Sequence, residues 1–168
     1  MPASGIKLLD ANVWLALAFS DHVHHARAKA WFDGLGDDTC AFCRITQMAL
    51  LRHLTNAAIM GTAVQTQQQA WTSYEAFAAD PRVGFALEPA TLESRFRALT
   101  QNTSPSHGQW TDAYLASFAV AGDFELVTLE KRFRPTTGLK LFSLSLLGEC
   151  PGNSPLPPRH LKLNLRPV

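Results

Sequence analysis

Cysteine is scarce in this chain, and so is charge. Its 168 residues include three cysteines, an odd number, and only 17% are charged. A disulfide scaffold needs cysteines in pairs and at higher density, so that class is excluded. Fifteen basic residues stand against fourteen acidic ones, a net charge of +1. No global excess marks a nucleic-acid or membrane-surface protein, although a local basic patch is still permitted. The N-terminus has no basic run ahead of its apolar stretch. Asp10 breaks that stretch far short of the ~20 residues a membrane span needs. The expectation is a cytoplasmic location and no membrane partner. Internal repeats are also missing.

What is present is a chain that is 46% hydrophobic, long enough for one globular domain with a sizeable core. Leu8 and Leu9 suit a buried strand that gives way at Asp10, and Val13, Trp14 and Leu17 then recur at helical spacing. A helix follows from about His22 to Phe32, then a strand over Thr39 to Cys43. A helix over Ile45 to Leu54 buries Met48, Leu50, Leu51 and Leu54. Asn56 to Val64 reads as a loop around Gly61. Thr66 and Gln69 form a capping box, and their helix is stopped by Asp80-Pro81. Arg82 to Leu87 is a strand, Thr91 opens a helix through Leu99, and Asn102 to Gly108 is a polar turn. Gly122 closes a helix over Ala113 to Ala121 from the C′ position. Phe124 to Thr128 and an edge strand over Leu139 to Leu144 complete the set. This alternation predicts a three-layer α/β/α sandwich with a mostly parallel central sheet over residues 1–148. Residues 149–168, rich in proline, are expected to be a poorly ordered tail.

Two tempting patterns lose force on geometry. Cys40 and Cys43 form a C-x-x-C, but residues three apart on a strand face opposite sides, so they read as structural thiols. His22, His24 and His25 do not converge on a helix as i and i+4 would, so they read as a solvated first turn.

Three carboxylates are placed more suggestively. Asp10 follows the first strand, Glu130 follows a late strand, and Asp112 begins the helix that leads into that late strand. Right-handed crossovers bring all three to one edge of the sheet, the rim where ligands bind in open parallel sheets. Carboxylates ~4 Å apart repel by roughly 4 kcal/mol per pair at an effective dielectric of ~20. A fold that gathers three needs a cation or raised pKa values. All-oxygen ligation selects Mg²⁺ or Mn²⁺ over zinc and suits phosphodiester chemistry. Spacing alone leaves helix caps and solvated surface as the other reading. Lys131, Arg132 and Arg134 next to Glu130 are either a grip on an RNA backbone or a solvated turn. Trp14, Trp31 and Trp71 read as core or interface residues, whereas Trp110, beside Asp112, is placed for base stacking.

Four stretches carry a resemblance: Leu9-Asp10-Ala11-Asn12-Val13-Trp14-Leu15, the run from Arg44 to Asn56, Trp110-Thr111-Asp112-Ala113-Tyr114-Leu115-Ala116, and Leu126-Val127-Thr128-Leu129-Glu130-Lys131-Arg132-Phe133. In this order the sequence resembles PIN-domain ribonucleases of the VapC toxin family, from residue 8 to about 143. The resemblance implies a PIN-like fold and an endoribonuclease toxin using Mg²⁺ or Mn²⁺. It also implies an RNA substrate such as tRNA, a cognate antitoxin and a homodimer. It assigns Asp10 and Asp112 as metal ligands and, with Glu130, as the catalytic acids; the family's usual residue at the last position is Asp. Thr111 and Thr128 flank the pocket, and Arg52, Lys131 and Arg132 are the expected RNA contacts. The chain departs from the family at Ala49, which stands where a glutamate follows the threonine of a T-x-x-E run matched by Thr46. Asp21 is the nearest guess for an acid borrowed from elsewhere in the chain. Ala49 keeps open a degenerate PIN scaffold that binds RNA or a protein without cutting. A phosphatase using Asp10 as nucleophile would want a second Asp where Asn12 stands. No Ser or Cys is paired with a base, so covalent catalysis by either is not expected.

Overall fold

Five short apolar segments make one sheet in the computed structural model: β1 (Ile6–Leu9), β2 (Thr39–Phe42), β3 (Val83–Phe85), β4 (Glu125–Thr128) and β5 (Lys140–Ser143). The structure describes residues 5–101, 105–131 and 133–146. The tail expected at 149–168, the third cysteine at 150, Arg132 and part of the polar turn at 102–104 lie outside the described residues. The strand order is β3-β2-β1-β4-β5 and every pairing is parallel. At the centre Leu8 pairs with Leu126 and Leu9 with Val127, and all four are fully buried. A parallel sheet is covered on both faces, which is why its inner strands read as unbroken apolar runs.

Seven helices form the covering layers among the described residues: α1 (Ala11–Ala18), α2 (His25–Asp33), α3 (Arg44–Leu54), α4 (Ala57–Met60), α5 (Gln67–Ala78), α6 (Leu92–Thr100) and α7 (Trp110–Gly122). On one face Leu9, Phe42 and Val127 pack against Trp14, Phe32, Leu50 and Ala70 from the first helices and α5. On the other, Leu8 and Leu126 pack against Leu92, Leu115, Phe118 and Ala119 of α6 and α7. Successive strand residues therefore serve opposite cores, and the three-layer α/β/α sandwich stands. Trp14 is the centre of the first core, stacked on Phe42 with ring centroids 3.7 Å apart and met edge-on by Phe77 at 5.2 Å. Cys40 lies in this core and Cys43 in the other; both are free and buried. Burial pushes the Cys40 thiol up to about 12, which keeps it protonated and unreactive. Among the described residues no helix is long and apolar enough to cross a membrane.

The structure departs from the sequence reading at four places. Met48 points out of α3 and is 59% exposed, because the inward stripe runs through Thr46, Gln47, Leu50 and Leu54. The stretch read as a loop is the short α4, followed by a 3₁₀ turn at Gly61–Ala63. Asn56 caps α4 by accepting from the Ala58 amide at 2.9 Å, and Met60 is its buried anchor. The second helix starts at His25 rather than His22. His25 is not merely solvated: its Nδ1 bonds the Ala16 carbonyl at 2.7 Å and ties this turn to the end of α1. By contrast, the capping box at Thr66 is made as read, with Gln69 N donating to Thr66 Oγ1 and Thr66 N donating to Gln69 Oε1.

The fourth departure concerns Gly122, which is the last residue inside α7; the left-handed residue after it is Asp123, at φ 56°. Glycine is required at 122 by packing. A Cβ there would lie 2.3 Å from Phe124 Cε2. Gly122→Ala is therefore expected to cost about 1–3 kcal/mol of stability by overpacking. Trimming the ring with Phe124→Leu in the same chain should recover part of that loss. Denaturant unfolding of the two single variants and the double variant measures it, and strictly additive losses would rule out the clash.

Candidate active site

The sheet reverses its order between β1 and β4. Helices that follow β1 and β2 cover one face and those that lead into β4 cover the other, leaving a crevice at the carboxyl ends of these two strands. Asp10 is the first residue past β1, and its amide still donates to Val127 O at 2.9 Å. It occupies the N-cap position of α1, yet its side chain does not cap the helix. Instead Oδ2 accepts from Asn12 Nδ2 at 2.9 Å and from Thr128 Oγ1 at 2.8 Å. The Thr128 hydroxyl in turn accepts from Asn12 Nδ2 at 3.2 Å and from the Glu130 amide at 3.0 Å. Asn12 Oδ1 receives the Leu129 amide at 3.1 Å. One donor and two acceptor positions exhaust what a hydroxyl offers, so the fully buried Thr128 is saturated. The Asp10 carboxylate is thus tied across the ends of β1 and β4 and makes no N-cap hydrogen bond.

Asn12 was not singled out by the sequence reading. Its signal is an Asp-x-Asn at a strand end, where a short amide reaches both the preceding carboxylate and the next strand.

The electrostatics place the three carboxylates in each other's field. Burial pushes the Asp10 carboxyl up; the hydrogen bonds from Thr128 and the Ala11 amide oppose this, and the charges of Asp112 and Glu130 add to it. Asp112, in the first turn of α7, is likewise pushed up, by burial and then by Glu130. The donors are all oxygen. Among the described residues no three His, Cys, Asp or Glu side chains come close enough to enclose a cation. Such a set fits a hard ion held by one or two carboxylates and otherwise hydrated.

The other expected residues separate into near and far. Thr111 is exposed beside Asp112, and Trp110 is 54% exposed, edge-on to Phe96 at 5.9 Å. Lys131 is exposed next to Glu130. Thr46, buried, spends its hydroxyl on Cys43, accepting from its amide at 3.0 Å and donating to its carbonyl at 3.1 Å. The threonine of that run therefore shapes the start of α3, and Ala49 adds no ligand. Arg52 is exposed in the last turn of α3, where a cation complements the helix dipole, and it makes no ion pair among the described residues. Asp21 is exposed, and its one side-chain hydrogen bond among the described residues is from its neighbour Ser20, not from the carboxylate site.

The PIN domain family matches residues 7–139. Ribonuclease VapC41 of Mycobacterium tuberculosis is 45% identical over 139 residues, covering 80% of this chain and 95% of that one. This chain belongs to the VapC family of PIN domains. Ribonuclease VapC44 of the same organism is 34% identical over 130 residues, covering 74% of this chain and 85% of its own. The VapC fold recurs in solved structures. VapBC2 of Rickettsia felis, bound to a DNA fragment from its promoter, has a TM-score of 0.61 at 18% identity, over 82% of this chain and 98% of that chain. VapC20 of M. tuberculosis, a sarcin–ricin-loop-cleaving toxin, has a TM-score of 0.56 at 12% identity, over 76% and 92%.

Two expectations follow for this VapC chain. Thr128→Val leaves the Asp10 carboxylate short of a donor and the Glu130 amide without its acceptor, an expected loss of about 1–3 kcal/mol. Thr128→Ser should restore most of it in the same denaturant titration, and a Val variant as stable as the parent would dismiss the network's role. The second concerns Asp112. A carboxyl whose folded pKa lies above its unfolded value holds a proton that the unfolded chain releases. Stability therefore falls as pH rises through the window between the two and stays lower above it. Asp112→Asn removes that penalty. In EDTA its Tm should exceed that of the parent at pH 7, and the gain should disappear below the ordinary carboxylate range, at pH ~3. Equal or lower Tm at pH 7 would show that burial and the charge of Glu130 do not disfavour the Asp112 carboxylate.

Proposed function

We propose that this chain is a metal-dependent endoribonuclease, the toxin of a toxin–antitoxin pair, which hydrolyses RNA phosphodiesters at the rim between β1 and β4. What supports the reading is that Asp10, held across the ends of β1 and β4 by Thr128 and Asn12, lies in the electrostatic field of Asp112 and Glu130, whose charge contributes to raising it. Relatives bearing the name ribonuclease support the chemistry, and a VapC structure described as cleaving the sarcin–ricin loop supports a structured RNA as substrate. A tRNA belongs to that class. Solved VapBC complexes support a cognate antitoxin as partner, and a homodimer is proposed by resemblance.

In this reading Asp10 and Asp112 hold Mg²⁺ or Mn²⁺, and Glu130 adds negative charge beside them. When bound, such an ion supplies charge stabilisation at a phosphoryl oxygen. The chain's own work is positioning: Asn12 and Thr128 fix the Asp10 carboxylate in one rotamer, ready for a cation without reorganisation. Lys131, Arg132 and Arg52 neutralise phosphates, each contributing a salt slope of about −0.7 for single strands. With Ala49 in place of an acid, the site works as a variant holding a single ion.

Ala49 also favours a second reading, a scaffold that binds RNA without cutting. The test is incubation of antitoxin-free protein with total RNA and with a tRNA pool, in Mg²⁺, in Mn²⁺ and in EDTA, beside Asp112→Asn. Discrete cuts are expected with either metal. They should vanish in EDTA and be slowed at least about a hundredfold in the variant, some 2.7 kcal/mol of barrier. Folded protein that binds RNA and cuts nothing under either metal would establish the scaffold instead.

A further inference from the structure

The turn that carries Asp112 also walls a cleft of about 170 Å³ whose lining includes neither Asp10 nor Glu130. Leu99 from α6, Ala116 from α7 and Phe133 give it an apolar floor; Gln109, Arg134 and Thr136 give it polar edges, with Asp112 in the same lining. Thr136 Oγ1 is shielded from solvent and has no hydrogen-bond partner among the described residues. Buried hydroxyls are nearly always paired, so an unpaired one in a cleft wall is a group that a ligand would satisfy. Arg134 is exposed at the same place and makes no ion pair among the described residues.

The lining selects against simple ions. A phosphate would sit on apolar carbon and against the Asp112 carboxylate, and a metal cation would meet the Arg134 guanidinium. A flat, uncharged heteroaromatic ring with a hydrogen-bonding edge suits every wall. The volume lies below the ~300–1,000 Å³ of pockets for drug-sized ligands, so it admits one such ring and no more. We propose that this cleft, on the reading of the rim as a ribonuclease site, seats the nucleobase that flanks the bond to be cut and so sets the sequence preference. Gln109 and Thr136 read the edge of the base, and Arg134 stacks on it or holds its phosphate. A base enters such a cleft only when unstacked and unpaired, so the target nucleotide lies in a single-stranded loop.

The test separates base recognition from cleavage by measuring binding in EDTA. The probes are fluorescent 2′-O-methyl RNA decamers of all-A, all-C and all-U sequence, and a decamer of abasic residues, none of which can be cut. The parent protein should bind at least one base-bearing decamer about tenfold more tightly than the abasic one, ~1.4 kcal/mol. Thr136→Val, which keeps the side-chain shape, and Ala113→Leu, which fills the cleft, should each reduce that preference to within about twofold, a few tenths of a kcal/mol. Should Ala113→Leu fail to fold, Thr136→Val decides. Base preference retained in variants with parental Tm overturns the inference, and so does equal binding of all four decamers by the parent. A preference that depends on Thr136 in a protein that cuts nothing keeps the inference as a binding site and rejects the nuclease reading. If the parent does cleave, Thr136→Val should also change the base frequencies at one position beside the cut.

Discussion

The crevice depends on one hydroxyl. Thr128 Oγ1 stands between β1 and β4 and joins Asp10, Asn12 and the backbone of the following turn into a single bonded group. Without it, a carboxylate drawn partly out of water and set near two others has two cheaper options, to swing toward solvent or to take up a proton. Neutral donors offer a third: they hold the charge in place without cancelling it. The sheet order supplies the position, because only at the reversal between β1 and β4 do the covering helices part. Chemistry and topology thus meet at a residue that carries no charge.

That arrangement sets stability against use. Carboxyls raised by burial and by one another are a standing cost to the folded state, and the cores on either side of the sheet have to offset it. The Trp14–Phe42 stack and the fully buried Leu8, Leu9, Leu126 and Val127 lie immediately beneath the rim. The raised carboxyls therefore stand directly above fully buried apolar side chains.

The layers were legible in the sequence because each inner strand is a short apolar run and each helix shows a buried stripe. The capping box at Thr66 was legible because it is wholly local. Met48 was misjudged because α3 turns its Thr46 and Gln47 inward, and no periodicity of apolar residues records a buried polar pair. Gly122 was assigned its usual backbone role, yet the reason for it lies two residues on, in the ring of Phe124. Among the candidate residues, the places of Asp10 and Glu130 after their strands and of Asp112 in the first turn of α7 could be read from the strand and helix pattern. Asn12 could not, since its partners are contributed by a strand more than a hundred positions away.

That separation bears on when the crevice can form. Asp10 and Thr128 are 118 positions apart, and the strand that carries Thr128 is fourth of five in the chain. Contacts of such long range form late, since chain entropy must be surrendered before they bring any return. During synthesis the first three strands emerge with their helices while β1 still lacks its neighbour on the other side, and the crevice has only one wall. The crevice is therefore completed only when most of the domain has been made.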